Sequence, residues 1–175
     1  IDRIGLRKQL QWDVPLKGIE GTSSIRFPDD KSNYWSRTTL PWMSFGYETQ
    51  VPPIYMLMFY NAIANGGKMI KPFIARQFVK DGKVLKQMEA EVVTPMMCKE
   101  NTLQQIHEML VGVVEEGTAR VVASDYFQVA GKTGTAQIAS GGGYGGYYVS
   151  FCGYFPANEP MYTIFVGIRK PKGVP

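Results

Sequence analysis

Lys132, Thr133 and Gly134 lie inside the run Ala130-Gly131-Lys132-Thr133-Gly134-Thr135-Ala136-Gln137. A cation, a hydroxyl and a glycine in that order are suited to holding an anionic, carbonyl-bearing substrate against the edge of a sheet. Lys132 supplies positive charge, and Thr133 and Thr135 supply hydroxyl donors. Gly134 carries no side chain, so a ligand can come within hydrogen-bonding distance of the backbone. Backbone N–H groups exposed in this way can form an oxyanion hole, often the largest single contribution to acyl-transfer catalysis.

Gly131-Lys132-Thr133 also matches the end of the phosphate-binding pattern G-x-x-x-x-G-K-[ST]. That pattern needs glycine at position 126, where the chain has Tyr126, and a helix after the lysine, where Thr133 to Ile138 reads as strand. Nucleotide binding is therefore set aside. The elements around the triad read as a mixed α and β pattern, an α+β fold with an antiparallel sheet packed by helices. Strands are expected over Gln128–Ile138, Tyr147–Phe155 and Met161–Ile168, with Asn158-Glu159-Pro160 turning the last two antiparallel. The glycine-rich stretch Ser140 to Gly146 is expected to be a long hairpin turn, with Tyr144 as a candidate for packing over bound substrate.

Upstream, Pro52-Pro53 opens a helix where a missing N–H costs little. Ile54, Leu57, Met58, Asn61 and Ala62 form its apolar stripe, and Gly66-Gly67 ends it. Phe73–Val79 and Val84–Met88 flank Asp81-Gly82, a hairpin signal. Asn101 or Thr102 is expected to cap a helix running to about Glu116, with Leu103, Ile106, Leu110 and Val114 on one face. His107 in that helix has no acidic or serine partner nearby in sequence and reads as structural. Gln11 to Trp42 is polar and rich in Gly, Ser, Asp and Pro, an extended surface loop that Trp35 and Trp42 could tether.

With 175 residues, 45% of them hydrophobic, the chain can bury one core. It has no 18-residue apolar run and no signal-peptide pattern at its start. Cys98 and Cys152 lack metal or redox spacing; Cys152 reads as a small core residue, and a disulfide between the two stays open. The net charge of +4 reads as a solvated surface, with anionic cell-wall polymer or lipid headgroups as the functional alternative. No nucleic-acid recognition module or dense basic run is present.

Several segments then fall into one order: Phe45-Gly46-Tyr47-Glu48-Thr49-Gln50-Val51-Pro52-Pro53, Tyr60-Asn61-Ala62-Ile63-Ala64-Asn65-Gly66-Gly67-Lys68, Val113-Val114-Glu115-Glu116-Gly117-Thr118-Ala119, the Lys132-Thr133-Gly134 strand, and Ser150-Phe151-Cys152-Gly153-Tyr154-Phe155-Pro156-Ala157. In order and spacing the chain resembles the transpeptidase domain of class B penicillin-binding proteins, with the last segment closer to the cell-division branch. Lys-Thr-Gly is the third motif of that family. The first two are absent: no serine has lysine three positions on, and Ser32-Asn33-Tyr34 is not S-x-N. Residues 1–175 therefore read as the C-terminal part of one transpeptidase domain, without the nucleophile or a closing C-terminal helix. The loss of that helix would expose an apolar sheet face.

The resemblance implies a partial β-lactamase-like fold and a D,D-transpeptidase. A serine would form an acyl-enzyme with a peptidoglycan stem peptide or a β-lactam. Lys132 would supply positive potential, Thr133 and Thr135 would bind the substrate's terminal carboxylate, and the Thr135 N–H would complete the oxyanion hole. No cofactor or metal is called for. Division-complex membrane proteins are implied as partners. The implied location is the outer face of the cytoplasmic membrane, with an N-terminal anchor upstream. The alternatives are a β-lactam sensor or β-lactamase relative, and a catalytically silent scaffold.

Overall fold

The computed structural model describes residues 2–12, 22–28, 35–140 and 143–173. In chain order the elements are β1 (Leu10–Gln11), β2 (Thr22–Ser23), α1 (Thr39–Met43), α2 (Pro53–Ala64), β3 (Met69–Ile70), β4 (Gln77–Lys80), β5 (Lys83–Gln87), β6 (Val92–Thr94), α3 (Glu100–Glu115), β7 (Ala130–Ser140), β8 (Gly143–Phe155) and β9 (Tyr162–Arg169). The main sheet is antiparallel in the order β7-β8-β9, and β1-β2, β3-β6 and β4-β5 form three small two-stranded pairs. This is the α+β arrangement expected from the sequence. Part of the expected Gln11–Trp42 loop, including Ser32-Asn33-Tyr34, lies outside the described residues. The described part contains α1, and Trp35 stands half-exposed rather than tethering it.

Pro53 sits in the first turn of α2, where its missing N–H leaves no hydrogen bond unmade. The helix does not bury one stripe. Tyr55, Met58 and Ala62 pack with Leu6, Leu10, Ile25, Phe27 and Met69. Tyr60 and Ile63 pack on the other side with Leu110, Val111, Cys152 and Tyr154. An element covered on two sides must be apolar on two sides, so a single-stripe reading was too narrow. The Tyr55 hydroxyl donates to Lys8 O at 2.9 Å and accepts from Leu10 N–H at 3.1 Å, which fastens the first residues to the helix.

α3 begins at Glu100 with Lys99 as its N-cap, and no side chain caps it. Asn101 and Thr102 are inside the first turn. Glu100 there favours the positive end of the helix dipole. Leu110, Val111 and Val114 are its buried face. His107 is structural, and its partner lies across the fold: Nδ1 is 2.8 Å from the hydroxyl of the fully buried Tyr154.

The glycine-rich stretch is not a long turn. β7 runs to Ser140 and β8 begins at Gly143, with Ser140 opposite Gly143 and Ala139 opposite Tyr144. Cross-strand pairing extends each strand past the limit that the glycines suggested. On β9, Tyr162, Ile164, Val166 and Ile168 alternate along one face and all are exposed.

The buried cluster at the base of the sheet is chemically quiet. Burial in apolar surroundings pushes the Cys152 thiol up to about 12, and burial raises the Tyr60 and Tyr154 hydroxyls to about 12 as well, with further contributions from their proximity to Cys152 and Tyr60 respectively. Cys98 and Cys152 are both free thiols, so no disulfide joins them. In the window from the unfolded values of 9.0 and 10.0 up to about 12, the unfolded chain has released these protons and the folded chain still holds them. Stability should therefore be fully retained below about pH 9 and fall as pH rises toward 12. Urea unfolding at a series of alkaline pH values measures this, and a flat profile would contradict it.

Candidate active site

β7 is an edge strand, and its register decides which groups reach the edge. Lys132 pairs with Cys152, Thr133 with Phe151, Gly134 with Ser150 and Thr135 with Val149. Directly paired residues share a face. Lys132 and Gly134 therefore leave the sheet on the face of Cys152 and Tyr154, which α2 and α3 cover. Thr133 and Thr135 leave it on the opposite face.

Two contacts identify the groups at the free edge. The Gln137 N–H donates to the Tyr47 hydroxyl at 3.1 Å, and the Thr133 carbonyl accepts from Lys132 Nζ at 3.0 Å. Both partners lie off the β8 side. Successive residues of a strand point their backbone groups to alternate edges, so the Thr135 N–H faces the same free edge as Thr133 and Gln137. An extended ligand laid along β7 would meet these groups.

Thr118, two residues past Glu116 at the end of α3, completes the arrangement. Lys132 Nζ lies 3.2 Å from Thr133 Oγ1 and 3.4 Å from Thr118 Oγ1, and the two hydroxyls are 3.2 Å apart. A cation and two hydroxyls thus share one exposed point beside the free backbone edge, a donor-rich surface suited to a carboxylate next to a carbonyl. Among the described residues, no three His, Cys, Asp or Glu side chains form a metal-sized cluster.

Lys132, Thr133, Gly134 and Thr135 are thus brought together on consecutive positions, whereas Tyr144 is not brought to them. It pairs with Ala139, about 23 Å along β7 from Lys132 at roughly 3.3 Å per residue. Gly141 and Gly142 lie outside the described residues. Two contributors, Thr118 and Tyr47, carry no role in the motif itself. Both stand in stretches that the sequence offers only for resemblance. Tyr47 belongs to an aromatic trio with Trp42 and Phe45, with centroids 5.4 Å and 5.4 Å from its ring, and this trio carries its hydroxyl to the strand.

The glycines of the triad strand differ in what they permit. A Cβ on Gly131 would run into the Phe151 ring and stand 2.7 Å from the Cys152 carbonyl oxygen, and the latter is backbone that cannot turn away. A Cβ on Gly134 would meet only Ser150 Oγ, at 2.8 Å, and that side chain can change rotamer. Gly131→Ala is expected to cost about 1–3 kcal/mol through overpacking, and Gly134→Ala about 1 kcal/mol or less. Thermal unfolding of the two variants side by side checks this; equal losses would contradict it.

The sequence profile of the penicillin binding protein transpeptidase domain matches residues 18–174, and the chain belongs to that family. It is 33% identical over 163 residues to stage V sporulation protein D of Bacillus subtilis, covering 91% of this chain and 24% of that protein. It is 27% identical to a peptidoglycan D,D-transpeptidase FtsI homolog of Mesostigma viride, covering 98% of this chain and 31% of that one. The chain thus spans about a quarter to a third of these relatives. Among solved structures, penicillin binding protein 3 of Mycobacterium tuberculosis in complex with ampicillin superposes with a TM-score of 0.77 at 27% identity, over 97% of this chain and 38% of that one. The similarity to class B penicillin-binding proteins read from the motifs therefore holds.

Proposed function

We propose that this chain forms the sheet side of the active site in a peptidoglycan D,D-transpeptidase. Its substrates are stem peptides ending in a free carboxylate, and β-lactams acylate it in their place. The observation that carries the reading is the meeting of Lys132 Nζ with Thr133 Oγ1 and the Thr133 carbonyl, on the strand edge that alternation also gives to the Thr135 N–H. The hydroxyls of Thr133 and Thr135 would hold the substrate carboxylate, in the positive potential that Lys132 supplies. The Thr135 N–H would donate to the oxyanion that forms when the scissile carbonyl becomes tetrahedral, and removal of such a donor costs about 2.7–4 kcal/mol of transition-state stabilisation.

The attacking group is a serine outside these 175 residues, because no serine here has a lysine one helical turn on. The serine would form an acyl-enzyme and expel the terminal residue as an amine. A second amine, from a neighbouring strand, would then take the acyl group and free the serine. The chain alone would be inactive. We place the reaction on the outer face of the cytoplasmic membrane, where the cell-wall polymer is, and in septal synthesis, on the strength of the Phe151-to-Ala157 stretch. Division-complex membrane proteins would then be its neighbours.

Covalent labelling by a fluorescent penicillin, run on this chain and on the full-length protein in parallel, tests the reading. Labelling of the full-length protein alone is the expected result. Failure of both would leave a silent scaffold, and labelling of this chain would put the nucleophile within it.

A further inference from the structure

We propose that Thr118 is a positioning residue of this site: its hydroxyl bridges Lys132 and Thr133 and leaves one hydroxyl proton of the pair free for an incoming carboxylate. The inference rests on the function proposed above and adds a residue that the Lys-Thr-Gly motif does not contain.

Donors and acceptors in the trio can be counted. An ammonium has three N–H donors, and a hydroxyl has one donor and two acceptor lone pairs. Lys132 Nζ has three acceptors in reach: Thr133 O at 3.0 Å, Thr133 Oγ1 at 3.2 Å and Thr118 Oγ1 at 3.4 Å. Its donors are used up, and each hydroxyl oxygen then accepts from a cation. The 3.2 Å bond between the hydroxyls consumes one of their two protons. One proton remains, on an oxygen polarised by the ammonium, and it has no partner within the trio. That is the group a carboxylate would seek. Without Thr118 the Thr133 hydroxyl loses a neighbour that fixes its orientation, and the ammonium loses one of three anchors.

The fold holds Thr118 in place by means that do not involve the site. Gly117 precedes it, and a Cβ there would lie 2.9 Å from both Cα and O of Val113, so the chain folds back against α3 more tightly than a side chain would allow. Ala119 follows, fully buried, with its N–H on Val113 O at 3.0 Å. Between these two fixed residues the Thr118 side chain is exposed and turned toward β7, so its conformation is set by the backbone on both sides.

The test uses the full-length protein with Thr118→Val, which keeps the branched shape and removes the hydroxyl, and Thr118→Ser, which restores it. Second-order acylation rates are measured with benzylpenicillin and with its methyl ester, which presents the same ring without the charge. The Val variant is expected to lose about tenfold with benzylpenicillin, the scale of one hydrogen bond to a charged group, and little with the ester. The Ser variant should recover the preference for the acid. Thermal unfolding confirms that each variant is folded. Equal losses on acid and ester would make Thr118 a structural residue only and overturn the inference, as would unchanged rates on both. If the unsubstituted protein reacts with neither compound, the transpeptidase reading falls and the inference with it.

Discussion

Lys132→Ala in the full-length protein is expected to slow acylation by benzylpenicillin by about 10²–10³-fold, the scale seen when one electrostatic stabiliser is removed from an acyl-transfer site. The ammonium stands at the meeting point of Thr118, Thr133 and the free edge, and is the only formal charge in that trio. Its removal takes away attraction for the carboxylate and leaves the Thr118 and Thr133 hydroxyls to orient each other alone. The side chain is exposed, so no core volume is lost and stability should shift by no more than about 0.5 kcal/mol. Stopped-flow acylation together with thermal unfolding separates the two effects. A folded variant that acylates at the normal rate would remove Lys132 from the site.

Tyr154→Ala should have the largest effect on stability, about 3–5 kcal/mol, because the ring is fully buried and little around it can collapse into the space. Tyr154 pairs with Ala130, next but one to Lys132, and packs with α2 and α3 in the cluster that includes Tyr60 and Leu110. Its hydroxyl meets His107 Nδ1 at 2.8 Å, and the two rings stack with centroids 5.9 Å apart. Tyr154→Phe keeps the ring and strands the imidazole, at a cost of about 1–3 kcal/mol. For a domain of this size each kcal/mol corresponds to roughly 2–4 °C in Tm. A Phe variant as stable as the unsubstituted protein would show that the His107 bond contributes nothing net. The Ala variant should also weaken acylation in the full-length protein, since it loosens the strand that carries Lys132.

Much of the fold is legible in the sequence. The strand segments and the turn at Asn158-Glu159-Pro160 locate β7, β8 and β9, and the Pro53 start and Gly66-Gly67 stop bound α2 correctly. Where sequence and structure differ, a long-range contact has overridden a local signal. The glycines at 143, 145 and 146 suggest a loop, yet cross-strand pairing draws Gly143 and Tyr144 into the ladder and away from the triad. The α2 stripe looks one-sided because sequence shows periodicity and not the number of layers that cover a helix. The polar run before Trp42 gives no hint of α1, a helix of one turn whose Thr39 is fully buried.

By itself the sequence determined which chemical groups stand on the edge strand and in what order, because a strand's geometry follows from its local pattern. Lys132, Thr133, Gly134 and Thr135 could be placed together on one strand on that basis alone. Only the tertiary structure decided what surrounds them. Tyr47 reaches Gln137 across 90 positions, and Thr118 reaches Lys132 across 14. Contacts of that kind depend on how the end of α3 and the aromatic segment pack against the sheet. That packing is set by burial of the whole core, and no local window of sequence contains it.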